Sequence, residues 1–272
     1  MLDSLLYIST AACWLALTGI ALKQARPGHS PATLGRVVAV LFPLGLVLHA
    51  MLIYNGVMVA EGLNLGFANA VSLIVWLTAL IYWLASIVYR GLSSMQGMMA
   101  PVALVAVAVQ FLVPSRHIVT YTGEPLFTLH FAIAMLGYAL FIVATVHAVV
   151  MLVEEKWLHK GVMPPFLRTL PPLLEMEALL FRVLLAAFVM LTLTVITGLF
   201  FSEQLFGKPL TFTHKSIFGI ISWFIFGGLL VGHYAWGWRG RRAVHWTLAG
   251  FTTLLLAYVG SKFVAEIILQ RG

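Results

Sequence analysis

Eight mostly apolar runs dominate the chain, at about residues 5–22, 37–54, 68–89, 98–113, 127–153, 178–201, 216–234 and 246–269. Each approaches the ~20 residues that an α-helix, rising 1.5 Å per residue, needs to cross a hydrocarbon core. None alternates apolar and polar residues at period two, as a lipid-facing β-strand would. A helix, moreover, satisfies its backbone polar groups within one segment. The pattern therefore predicts an all-α, polytopic integral membrane helical bundle of about eight transmembrane helices, forming a single transmembrane domain over 1–272. The first run lacks a basic leader and a small-residue cleavage site, so it reads as a retained helix. The longest connections are expected at about 55–67, 114–126, 154–177 and 202–215, the third interrupted by Pro164, Pro165, Pro171 and Pro172.

Composition and charge turn this pattern into a location. Hydrophobic residues make up 61% of the 272 and charged residues 9%, and mean hydropathy is +1.01. Soluble domains carry about 25% charged residues, so no soluble catalytic domain is expected. Lys23, Arg26, Arg36, Arg90, Lys156, Lys160, Arg168, Arg239, Arg241 and Arg242 fall on alternate connections. The opposite side holds Arg116, Lys208, Lys215 and Arg271, with Lys262 late in the eighth run. Basic residues favour the cytoplasmic side, which puts both termini outside a bacterial inner (cytoplasmic) membrane. The net charge of +7 is thereby a topology signal, and no nucleic-acid partner is indicated; the lipid bilayer is the first partner. Cys13 is the sole cysteine, which excludes an internal disulfide, a CxxC pair and a CxxCH haem-attachment motif.

With so few charges, the histidines carry the candidate chemistry. Counted along their runs, His130, His214 and His49 fall in the outer half and His117 in an outer connection. His147, His233 and His245 lie near the inner surface, with His29 and His159 in inner connections. Histidines on different helices thus occur at two levels. Imidazole is a haem axial ligand, and histidines facing an aromatic-lined slot can hold a porphyrin, with Lys215 or Arg116 pairing with propionates at the outer surface. For any single residue a plainer role is available. An interfacial histidine can be a hydrogen-bonded anchor, and Trp236, Trp238 and Trp246 form an interfacial belt. Glu154, Glu155 and Lys156 read as a solvated helix end, Glu177 as a partner of Arg182, and Glu266 as a partner of Lys262. Gly219, Gly227 and Gly228 read as sites of close helix packing. No Walker loop, GxSxG or HExxH occurs, so no enzymatic activity is expected. Mid-membrane carboxylates, which proton-coupled carriers use, are missing.

The stretch Gly232-His233-Tyr234-Ala235-Trp236-Gly237-Trp238-Arg239-Gly240-Arg241-Arg242-Ala243 resembles the end of the penultimate core helix in the CcsA/CcmC-type cytochrome c assembly family of haem-handling membrane proteins. Ala257 to Val264 and Leu170 to Glu175 look like its YpjD/HemX-like branch, and Leu129-His130-Phe131 followed by Gly137-Tyr138-Ala139-Leu140-Phe141 is similar to the family's histidine-bearing helix. The resemblance is strongest over 111–272. It implies haem b as cofactor, with His130 matching an outer-side haem histidine and His233 one nearer the inner side. His49 and His214 are further candidates for a sixth ligand, inferred from depth. The family's haem exporters carry a tryptophan-rich outer segment ending in WD, whereas residues 202–210 here read SEQLFGKPL. A second outer histidine expected after the last helix is replaced by Gly260-Ser261-Lys262-Phe263. The expectation is a haem-binding or haem-handling protein related to cytochrome c assembly, with other assembly or membrane transport proteins as partners. The alternative is a non-haem accessory or regulatory subunit for haem synthesis or a neighbouring ion transporter.

Overall fold

The structure, a computed structural model, describes residues 2–24, 31–89, 92–113, 117–119, 125–161, 164, 167, 170–206 and 214–257. Among them the chain is all-α and polytopic. Its helices are α1 (Leu2–Gln24), α2 (Pro31–Val57), α3 (Phe67–Val88), α4 (Ser93–Leu112), α5 (Pro125–His159), α6 (Leu173–Phe206), α7 (His214–Trp236) and α8 (Gly240–Leu255). The first seven are long and apolar enough to cross a membrane. The end of the predicted eighth run falls in 258–272, outside the described residues, as do the Lys262–Glu266 pair and the Gly260–Phe263 region.

The apolar runs mark helix cores rather than helix ends. α5 continues through Glu154 and Glu155 to His159, and α8 begins at Gly240, six residues before the predicted run, because charged residues extend a helix into the interface as readily as apolar ones. The connection after α2 is not wholly irregular. It folds into β1 (Met58–Val59) and β2 (Gly62–Asn64), paired antiparallel, with β3 (Ile118–Val119) completing a small sheet in the order β1-β2-β3.

Two compact units form, one of residues 1–118 and 156–172, the other of 119–155 and 173–272. In the first, α1 packs on α2 and α4, and α3 packs on the same two helices. Trp14, Phe42, Leu52, Tyr82 and Met95 fill its core, with Trp14 edge-on to Phe42 at 5.3 Å between ring centroids. In the second, α7 lies between α6 and α8. There α5 stacks Phe141 on Phe226 of α7 at 4.0 Å, and its Tyr138 hydroxyl donates to the Leu254 carbonyl of α8 at 3.0 Å. Many large apolar side chains face outward, Ile8, Val40, Ile87 and Phe224 among them, as a lipid-solvated surface requires.

Two further expectations are corrected. Glu154 is not solvated: it is buried, because at seven residues beyond His147 it continues the packed stripe of α5. Of the three packing glycines, Gly227 lies against Phe188 and Gly228 against Trp246, each with a Cβ position 3.4 Å from the ring, whereas Gly219 faces open space. The tightest approaches are at Gly232, against Trp238 six residues on, and at Gly250, against Phe226 of α7.

Candidate functional site

The second unit builds a folded-back cap at the end of α7. Gly237, at φ +66°, adopts the left-handed conformation that glycine tolerates at a helix C-terminus. Its N–H bonds to the His233 carbonyl, and the Trp238 N–H to the Gly232 carbonyl, both at 3.0 Å. This reversal lays the Trp238 indole directly on Gly232, where a Cβ would sit 2.3 Å from Trp238 Cε3. Trp238 also lies 5.2 Å from the Trp246 ring, under the Arg242 guanidinium. The expected aromatic belt is here partly a packed cluster, and only its Trp236 is widely exposed.

The cap fixes His233. Its Nδ1 lies 2.9 Å from the Trp238 carbonyl, and a carbonyl only accepts, so Nδ1 bears the proton and Nε2 the lone pair. Phe181 of α6 stacks on the imidazole at 3.4 Å and 13°, setting the ring plane. Below the cap, the Glu177 carboxylate accepts the Gly240 N–H at 3.0 Å and faces Arg239 at 3.7 Å, while Arg241 bonds to Glu155 at 3.0 Å. The arginine-rich motif is thus tied to α6 and α5, and Glu177, expected to serve Arg182, serves the motif.

The same logic holds for His130 on α5. Its Nδ1 is 2.7 Å from Thr197 Oγ1, and that hydroxyl is itself 2.6 Å from the Leu193 carbonyl. Two oxygens so close need the hydroxyl hydrogen between them, so Thr197 accepts from His130 Nδ1–H and Nε2 again carries the lone pair. The imidazole lies over Gly198, whose Cβ position is 3.5 Å from His130 Cε1. Phe181 and Thr197 are sixteen residues apart on α6, about 24 Å at 1.5 Å per residue. His233 and His130 therefore occupy two separate levels of this unit and cannot share one iron. His147, between them in sequence, is buried with Nδ1 donating to the Val143 carbonyl at 2.9 Å.

His49 lies in the first unit, fully buried, with Nε2 2.8 Å from Ser72 Oγ. Its available nitrogen is Nδ1, next to the ring carbon that carries the backbone, a crowded approach for a porphyrin. The backbone of His214 opens α7; its side chain, that of Lys215, and all of Arg116 lie outside the described residues. Sequence reading missed Thr197, Phe181 and the Trp238 carbonyl, which position the two histidines. Gly237 was a legible signal for the cap; the pairing of residues 67 positions apart was not.

Residues 37–269 match the family model described as Cytochrome C assembly protein. The chain is 30% identical over 257 residues to inner membrane protein YpjD of Escherichia coli (strain K12), covering 93% of this chain and 94% of that one. It is 32% identical over 90 residues to the cytochrome c biogenesis protein CcsA of Prochlorococcus marinus (strain MIT 9515), covering 33% and 29% of the two chains. A similar stretch of CcsA from Gloeobacter violaceus is 28% identical over 97 residues, covering 36% of this chain and 29% of that one. Seven apolar helices, together with the likeness to an inner membrane protein, make this a multi-pass protein of the inner membrane, and the chain belongs to the cytochrome c assembly protein family.

Proposed function

We propose that the protein binds and hands on haem within the membrane, without catalysis of its own, through His130 and His233 at two levels of the second unit. The observation that carries this is the shared preparation of the two imidazoles. Each donates Nδ1–H to a fixed oxygen, at 2.7 Å for His130 and 2.9 Å for His233, which sets the tautomer that carries its lone pair on Nε2. A second hydrogen bond of this kind fixes the tautomer of a ligating histidine and raises its basicity, and imidazole is an established axial ligand of haem iron. The donor set therefore suits haem b. When bound, haem supplies the iron and the porphyrin for transfer to a recipient. This chain contributes orientation and exclusion of water: Phe181 holds the His233 plane, and the Trp238 cap closes the end of α7 beside it. Family membership adds support, because cytochrome c assembly requires haem.

The reading places the arginine-rich end of α7 at the cytoplasmic face and His130 toward the outer face, from the distribution of Lys and Arg. Thiols for covalent attachment would come from a partner, since Cys13 is the sole cysteine. The test is an absorption spectrum of the gently purified protein, oxidised and then reduced, with haem supplied in culture. A Soret band with sharp reduced bands, diminished in His130→Ala and in His233→Ala, is expected. No haem band after supplementation would refute the proposal and leave the accessory-subunit reading, which the tryptophan-free 202–210 segment favours.

A further inference from the structure

The first unit contains a line of buried hydrogen bonds that the haem reading does not use. Its direction can be read from one end. Asn69 Nδ2 donates to the Gly56 and Asn64 carbonyls at 2.9 and 3.1 Å, and carbonyls only accept, so the amide orientation is fixed. Asn69 Oδ1 then accepts from Gln110 Nε2 at 3.1 Å, which turns Gln110 Oε1 toward Ser72. The Ser72 hydroxyl spends its one hydrogen on that oxygen, at 2.7 Å. Ser72 Oγ must therefore accept from His49 Nε2–H, at 2.8 Å. Every donor points the same way, and the line begins at a neutral His49 whose Nδ1 is a bare lone pair.

That nitrogen is buried and has no hydrogen-bond partner among the described residues; the same is true of Trp14 Nε1. Both side chains are 0% exposed. Their rings stand 76° apart with centroids at 6.1 Å. Phe42 walls the indole on one side, and Gly45, one turn before His49, leaves it room: a Cβ there would already be 3.4 Å from Trp14 Cε2 and Cζ2. An imidazole with an orphan acceptor thus neighbours an indole with an orphan donor, each alone unfavourable in apolar surroundings.

We infer that the first unit holds a single hydroxyl group between His49 Nδ1 and Trp14 Nε1. The hydroxyl donates its hydrogen to His49 Nδ1 and accepts the indole N–H on its oxygen. Acceptor-only groups such as ketones and halides are refused by the Nδ1 lone pair, and cations by the indole N–H. The Ser72–Gln110–Asn69 line holds His49 in this one tautomer, which makes the selection directional. An internal water has this chemistry, and so does the hydroxyl of a membrane-soluble phenol or quinol. This inference is independent of haem binding.

Three measurements on the full-length protein in lipid test it. Replacing Trp14 with β-(3-benzothienyl)alanine keeps both fused rings and deletes the donor, so loss of a bridged hydrogen bond lowers the thermal midpoint without opening a cavity. An unchanged or raised midpoint would mean the indole N–H was an orphan and would overturn the inference. A structure at a resolution that shows waters should contain an oxygen within hydrogen-bond distance of both nitrogens; direct pairing of either nitrogen with a protein atom would overturn it. Mass spectrometry of an organic extract separates the sources. A phenolic lipid lost in His49→Phe (or in Trp14→Phe, should the first not accumulate) identifies a lipid hydroxyl. An oxygen in the structure with no such lipid in the extract identifies water.

Discussion

Gly232→Ala tests the cap that prepares His233. A Cβ at this position would fall on three ring atoms of Trp238, and these belong to a rigid indole that also packs against Trp246. Trp238 must leave. Its departure removes an aromatic pair, about 0.5–1.5 kcal/mol, and the exposed contact with Arg242, about 0.5–1 kcal/mol. The bond from His233 Nδ1 to the Trp238 carbonyl goes as well, about 0.5–1.5 kcal/mol. Against this, alanine is better than glycine in a helix by about 1 kcal/mol. The net destabilisation is roughly 0.5–3 kcal/mol, the balance of those terms, and His233 loses its fixed tautomer. The assay is the thermal midpoint of the purified protein together with its haem spectrum, with Gly228→Ala as the control. At Gly228 the Cβ position is 3.4 Å from Trp246, an approach that a small ring shift accommodates. Gly232→Ala should melt clearly lower than the control and retain less haem. Equal midpoints and equal haem content in the two variants would refute the reasoning.

Thr197→Val removes the oxygen that accepts from His130 and should weaken haem retention about tenfold, the low end for loss of such a second contact; Thr197→Ser, titrated alongside, should restore it. Gly250→Ala brings a Cβ within 2.7–3.0 Å of the Phe226 ring, which is stacked on Phe141 and cannot retreat. Overpacking of this kind costs about 1–3 kcal/mol, to be read as a lower midpoint. Glu177→Gln loses the charge facing Arg239 at the surface. It should destabilise by less than about 1 kcal/mol, and the difference from wild type should shrink at high salt.

Sequence alone determined the class of this protein. Lipid imposes a length and an apolar content on each span, and both are properties of a contiguous segment, so seven of the predicted runs recur as α1–α7. The two levels of histidine were legible for a similar reason: depth along a helix is a count of residues. Gly237 carried a local signature of a left-handed turn, a glycine ending an apolar helix, although its residues drew notice only as part of the family-like motif.

Tertiary structure decided which atom of each histidine carries the proton. His130 depends on Thr197, 67 residues away, and His49 on Ser72, Gln110 and Asn69, drawn from α3 and α4. Within a span, a single threonine or serine is as compatible with bonding its own helix backbone as with serving another helix, and its sequence context is the same in both cases. The burial of Glu154 was hidden likewise, because a charged residue at a helix end reads as solvated until the packed face of α5 is known to run past it. Hydrophobicity is a local quantity and hydrogen-bond partnership is a pairwise one; only the fold brings the pairs together.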